Sequence, residues 1–161
     1  MTLGLTKFCG DPQSRLYISR PFTQGDHTWA TNGHIMIRIP KRADVPAFKD
    51  APNAQKAWDR STHEHDKSGE PLTPITPFDI PIPEYNSDGE EIPVAVRVGA
   101  VYIQRRYAEW LMDLPGLSIA IPDQNVPAIY FRFDGGDGRL MAFKWREGDP
   151  LIADMTTGLL P

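Results

Sequence analysis

Hydrophobic and polar positions alternate with two different periods along this chain, and between them lies a stretch with neither. From residue 99 to 145 the pattern is clearest. Tyr102, Ile103, Tyr107, Trp110, Leu111 and Leu114 recur at helical spacing, while Arg105, Arg106, Glu109 and Asp113 take the opposite face. The spacing predicts a helix ending at Pro115-Gly116. Residues 117–121 then alternate as a half-buried strand does. The runs 128–133 and 139–145 flank Asp134-Gly-Gly-Asp-Gly138, a hairpin signal. A helix over a three-stranded antiparallel sheet buries one face of each.

Earlier in the chain, residues 15–19 read as a strand. Residues 27–31 and 34–39 read as two more around Asn32-Gly33, a turn pair tolerant of positive φ. A short helix is expected before Gly10. Between residues 43 and 93 both periodicities collapse. Six prolines fall between Pro71 and Pro93, which forbids a continuous helix or a central strand there, with at most a helical turn over 56–60. This stretch reads as a long surface insertion, partly extended and partly mobile. A short strand at 94–98 follows it, and residues 147–161 read as a tail without strong periodicity. The expectation is one α+β domain over 1–161: an N-terminal half (1–42), the insertion (43–93), a C-terminal half (94–146) and the tail (147–161).

Composition sharpens this picture only locally. The chain of 161 residues has a formal net charge of −4, but residues 1–42 carry six basic against two acidic side chains, and residues 43–93 carry four against eleven. The acidic middle is the odd segment. One cysteine, Cys9, excludes an internal disulfide framework and suits a reducing compartment. With no signal-peptide pattern and no long apolar run, a cytoplasmic protein with no membrane association is expected.

Two segments carry a resemblance. Trp29-Ala-Thr-Asn-Gly-His-Ile-Met36 resembles the Ala-Thr-Asp-Gly-His-Arg-Leu segment of the bacterial DNA polymerase III β sliding clamp. Residues 102–111 and the strands through Arg139-Leu-Met-Ala-Phe-Lys-Trp145 resemble that clamp's last helix and closing strands. Asn32, Ile35 and Ala142 differ from the clamp pattern, and the chain has the length of one clamp domain rather than three. The resemblance implies a DNA-clamp-like domain with two helix-on-antiparallel-sheet halves, encoded by a bacterium or phage. It implies a hydrophobic pocket for short linear motifs of replication proteins, formed by Thr31, Gly33, His34, Met36, Met141 and Phe143. It also implies phosphate contact from Arg105 and Arg106 if duplex DNA is bound, and it leaves room for a homo-oligomeric ring. The alternative is a phage-type inhibitor of a host complex built on the same scaffold, with the acidic insertion as its contact surface.

Other constellations read more plainly. His63-Glu-His65-Asp66, with His27, His34 and Cys9, lacks the paired ligand spacing of a zinc site and reads as solvated polar chain. Asp134 and Asp137 lack the calcium-loop pattern, so a hairpin turn accounts for them. Gly135, Gly136 and Gly138 lie between strands, not before a helix, which disfavours a dinucleotide loop. Glu90-Glu91 has no neighbouring apolar pocket, and Cys9 no partner base. The chain carries no nucleophile elbow, phosphate-binding loop or zinc-protease motif. Binding rather than catalysis, without cofactor or metal, is the expectation.

Overall fold

The computed structural model describes residues 4–11, 19–61, 71–145 and 148–160. Residues 15–18, most of the strand expected near the N-terminus, and the His63–Asp66 cluster lie outside the described residues. A short 3₁₀ helix, Leu5–Phe8, seats Leu5 and Phe8 in the core. Strands β1 (Phe22–Gln24), β2 (His27–Thr31) and β3 (Ile35–Pro40) form an antiparallel meander. Helix α1 (Ala54–Ser61) and the two-residue strand β4 (Thr73–Pro74) follow. The hairpin β5 (Ala95–Val98) and β6 (Val101–Gln104) leads directly into helix α2 (Arg105–Met112). Strands β7 (Ser118–Ile119), β8 (Ala128–Phe133), β9 (Gly136–Met141), β10 (Leu151–Asp154) and β11 (Gly158–Leu159) complete the chain.

These strands form two sheets. The larger has seven strands in the order β1-β2-β3-β9-β8-β7-β4, the smaller four in the order β11-β10-β5-β6. The architecture is α+β. The expected separation into two halves is not what forms: β3 pairs antiparallel with β9, Ile35 opposite Leu140 and Met36 opposite Arg139, so both hairpins belong to one sheet. Strict alternation sorts its residues. Ile35, Ile37, Ile39, Ile129, Phe131, Phe133 and Leu140 face the main core, where they meet Val96, Ile103, Tyr107 and Leu111 from the small sheet and α2.

Where the local patterns mislead, a competing cause is visible. Tyr102 and Ile103 belong to β6, not to the helix. The segment Val101–Gln104 also alternates buried with half-buried positions, and Gly99 supplies a sharp turn before it at φ 57°. A Cβ at Gly99 would sit 2.2 Å from the Pro122 carbonyl oxygen. Tyr107 and Leu111 occupy the deep positions under α2, whereas Trp110 is only half-buried, edge-on to Phe8 and Tyr107. The C-terminal hairpin is tighter than its glycines suggest. Phe133 pairs with Gly136 across Asp134-Gly135, so Gly136 and Gly138 lie inside β9. The Phe131 ring fills the space above Gly138, where a Cβ would approach its Cζ to 2.3 Å.

Within 43–93, α1 and residues 75–80 pack against the fold, whereas 84–91 is exposed as expected of a surface segment. Ala54 and Trp58 of α1 are buried against Phe22 and Trp29 on the outer face of the large sheet. Ile75 is buried, Phe78 and Ile80 lean on the main core, and β4 with its Pro74 takes a sheet edge, as proline requires. Nor are the described residues of the expected tail loose: β10 pairs in parallel with β5, and Ala153 within it and Met155 just after it are buried.

Candidate functional site

The junction of β3 with β9 carries most of the side chains expected in a partner pocket. Beyond Thr31 the chain turns through Asn32 and Gly33. The Asn32 carboxamide oxygen accepts hydrogen bonds from the His34 and Ile35 amides at 2.9 and 3.0 Å, and its Nδ2 donates to the Tyr107 hydroxyl at 3.0 Å. Only Gly33 takes positive φ (93°), so this is an Asx-stabilised turn rather than a two-residue Asn-Gly hairpin. The Thr31 hydroxyl donates to the Ile35 carbonyl at 2.7 Å and accepts from the Gly33 amide at 3.0 Å, which commits it to the turn. On the next strand the Met141 amide donates to the His34 carbonyl at 2.8 Å and brings Met141 beside the turn.

The result is a hollow of about 330 Å³ in which Thr31, Gly33, His34, Met36 and Met141 meet. Met36 is half-buried and Met141 is 52% exposed, so the hollow has an adaptable apolar lining open to solvent. Ile35, Ala57, Arg60, Pro127, Ala128 and Arg139 complete its wall. Sequence reasoning missed these residues, although three of them left a signal. Arg139 stands two places from Met141 on the same strand face. Ala57 and Arg60 are three apart on one helix face, in a segment whose irregular composition concealed the helix.

Helix α1 reaches the hollow because the outer sheet face anchors it. Trp58 packs edge-on to Trp29 and Tyr130. The Arg38 and Arg139 guanidiniums lie 3.9 and 4.9 Å from the Trp58 ring centroid. Arg38 is held in turn by a two-point ion pair with Asp137 at 2.7 and 3.0 Å, and the Tyr130 hydroxyl donates to the same carboxylate at 2.8 Å. Burial, reinforced by Asp137, pushes the Tyr130 phenol above its ordinary range and keeps it a neutral donor.

Three expected site residues sit elsewhere. Phe143 does not line this hollow. Its amide donates to the Tyr102 carbonyl, and its side chain shares a second hollow, about 260 Å³, with Gln104, Arg105 and Arg106. Arg105 is not on an exposed helix face but 7% exposed, donating to Glu91 at 3.1 Å and to Glu109 at 2.7 Å. Burial opposes its charge, yet the Glu109 and Glu91 hydrogen bonds outweigh that and raise its pKa. Arg106 is exposed and rests on the Tyr107 ring, 4.8 Å from its centroid.

Among the described residues, no group of three or more His, Cys, Asp or Glu side chains converges as a metal site, and no helix is long and apolar enough to cross a membrane. In comparisons with known proteins, the chain matches no family model, no curated protein and no solved structure.

Proposed function

We propose that this chain is a non-enzymatic, sliding-clamp-like binding protein of DNA replication or repair in the cytoplasm of a bacterium or phage-infected cell, holding short linear motifs of partner proteins in the hollow between β3, β9 and α1. One observation carries this reading. Five of the six pocket residues named by the resemblance, from segments about a hundred residues apart, line the same hollow. At about 330 Å³ it lies at the small end of the range for ligand sites, roughly 300–1,000 Å³, and suits one or two apolar side chains of a peptide rather than a whole metabolite.

The test is an NMR titration of the folded chain with a short peptide carrying glutamine followed by leucine and phenylalanine. Affinity near micromolar, about −8 kcal/mol, is expected, since ordering the peptide offsets much of its burial. Shifts should concentrate at Thr31, Gly33, His34 and Met141. Met141→Asp, at an exposed position, should abolish them without unfolding the protein. An absence of shifts at millimolar peptide would refute the reading.

The inhibitor alternative has one observation of its own. The strap over 77–91 exposes Asp79, Glu84, Asp88 and Glu90 together with Ile82 (87% exposed) and Tyr85. Light scattering after size exclusion separates the two readings in part, because a ring requires several copies and an inhibitor does not. Duplex contact through the α2 arginines rests on Arg106 alone, since Arg105 is committed to carboxylates.

A further inference from the structure

Phe143, Gln104 and Arg106 take no part in the peptide hollow, yet they share a surface with a built aromatic feature. Beyond β9 the chain runs along β6, where the Phe143 amide is bonded to the Tyr102 carbonyl. Two residues later the Trp145 indole stacks on the Tyr102 ring, with centroids 5.7 Å apart and planes 23° from parallel. The indole N–H donates to the Asp149 carbonyl at 3.1 Å, which fixes the ring plane while leaving Trp145 40% exposed. A stack this open contributes little to the core, and its rotamers are already restricted.

Exposed cations neighbour it. Arg97, the cross-strand partner of Tyr102, lies 6.0 Å from that ring's centroid; Arg106 lines the second hollow with Phe143, and Lys144, next to Trp145 in the chain, is exposed. Among the described residues none of the three takes part in an ion pair. Asp154 stands opposite Arg97 in the parallel pair, but its carboxylate accepts from the Thr156 amide and hydroxyl at 2.9 and 2.6 Å. Beside the stack, the second hollow offers the Gln104 carboxamide and the Phe143 ring, and its one buried charge, Arg105, is balanced by Glu91.

We propose that this surface is a binding site for single-stranded nucleic acid, with a base stacked on the exposed Trp145–Tyr102 pair and the adjoining phosphates neutralised by Arg97, Lys144 and Arg106. Rings of this kind accept any base because every base has a π face, and they require that face to be free, which a duplex denies. The cations track a backbone without reading sequence. The site is separate from the peptide hollow and does not depend on it.

The experiment is fluorescence anisotropy with a labelled oligothymidylate of about ten nucleotides, compared with a duplex of the same length at low salt. Preference for the single strand is expected, with a log–log salt slope near −2, about −0.7 for each of three phosphates neutralised. Trp145→Ala should weaken binding by roughly tenfold or more, Trp145→Phe should recover part of the loss, and Arg97→Ala should make the slope shallower by about 0.7. Met141→Asp should leave the isotherm unchanged. Circular dichroism checks folding, and Trp145→Phe with Arg97→Ala suffices should Trp145→Ala not fold. No binding at low salt, a preference for duplex, or wild-type affinity in both Trp145→Ala and Arg97→Ala would overturn the proposal.

Discussion

Replacing Trp58 by alanine should free helix α1 while leaving the large sheet intact. Trp58 is 5% exposed, and an indole of that burial removes roughly 150–250 Å² from water, worth about 4–6 kcal/mol as an upper bound. Measured losses for such truncations run about 3–5 kcal/mol. Helix α1 has eight residues, too few to persist in water without docking. With Trp58 gone, the remaining anchors include Ala54, the Asn53 carboxamide oxygen accepting from the Lys56 amide, and two Gln24 hydrogen bonds, to the Ala54 amide and the Pro52 carbonyl. Caps of this kind contribute about 1 kcal/mol each, less than the loss. The helix should therefore undock locally, and the fall in global stability should be limited to the free energy of docking it. Native-state hydrogen exchange measures this directly: amides of 54–61 should exchange nearly as in an unstructured peptide, while those of β3 and β8 stay protected. Peptide affinity at the hollow should fall as well, since Ala57 and Arg60 leave its wall. Wild-type protection across 54–61 in the variant would refute the reasoning, because α1 would then be held by something other than Trp58.

Gly138→Ala should destabilise the fold by about 1–3 kcal/mol in chemical denaturation, since the new Cβ meets the Phe131 ring at 2.3 Å and the Met36 carbonyl at 2.7 Å. Part of that cost should disappear in a Phe131→Leu background, and additivity of the two changes would contradict the contact. Cys9, whose thiol donates to the Leu5 carbonyl at 3.7 Å, is pushed by burial from an ordinary 9.0 up to about 11, the Thr31 backbone opposing in part. The unfolded chain therefore releases this proton first, so the contribution is intact below pH 9 and is lost as pH rises from 9 toward 11. Iodoacetamide should label the native protein slowly at pH 8, and Cys9→Ala should show a shallower alkaline loss of stability than wild type; equal slopes would contradict the shift.

Much of the local structure is legible in the sequence because its causes are local. The β8–β9 hairpin, the turn after Thr31 and the apolar face of α2 all follow from residue spacing and turn chemistry. What escapes is whatever depends on distant partners. Arg105 looks solvent-facing on a helical projection, yet Glu91 and the Pro81 carbonyl reach it from the preceding segment. The strand β10 carries only four residues of weak pattern and is defined by pairing with β5. Likewise α1 is an isolated eight-residue helix whose stability lies in aromatic neighbours on another element. The hollow is intermediate. Its resemblance-derived residues could be named from sequence, but the Arg139 and Arg60 walls required the β3–β9 register and the docking of α1.

The two-point pair between Arg38 and Asp137 joins residues 99 apart, within a strand pairing that must bring two hairpins together across the whole intervening chain. Each hairpin can form by itself in microseconds, but the sheet that unites them has to meet the closure entropy of a long loop before any inter-hairpin contact rewards it. The small sheet faces the same delay, since β5 gains its parallel neighbour only when residues 151–154 arrive. Folding should therefore be slow for a chain of this size, with a period in which the outer strands of both hairpins stand unpaired. During that period Ile35, Ile37 and Leu140 would lie open to other nascent copies, so the junction that creates the peptide hollow is also the step most exposed to aggregation.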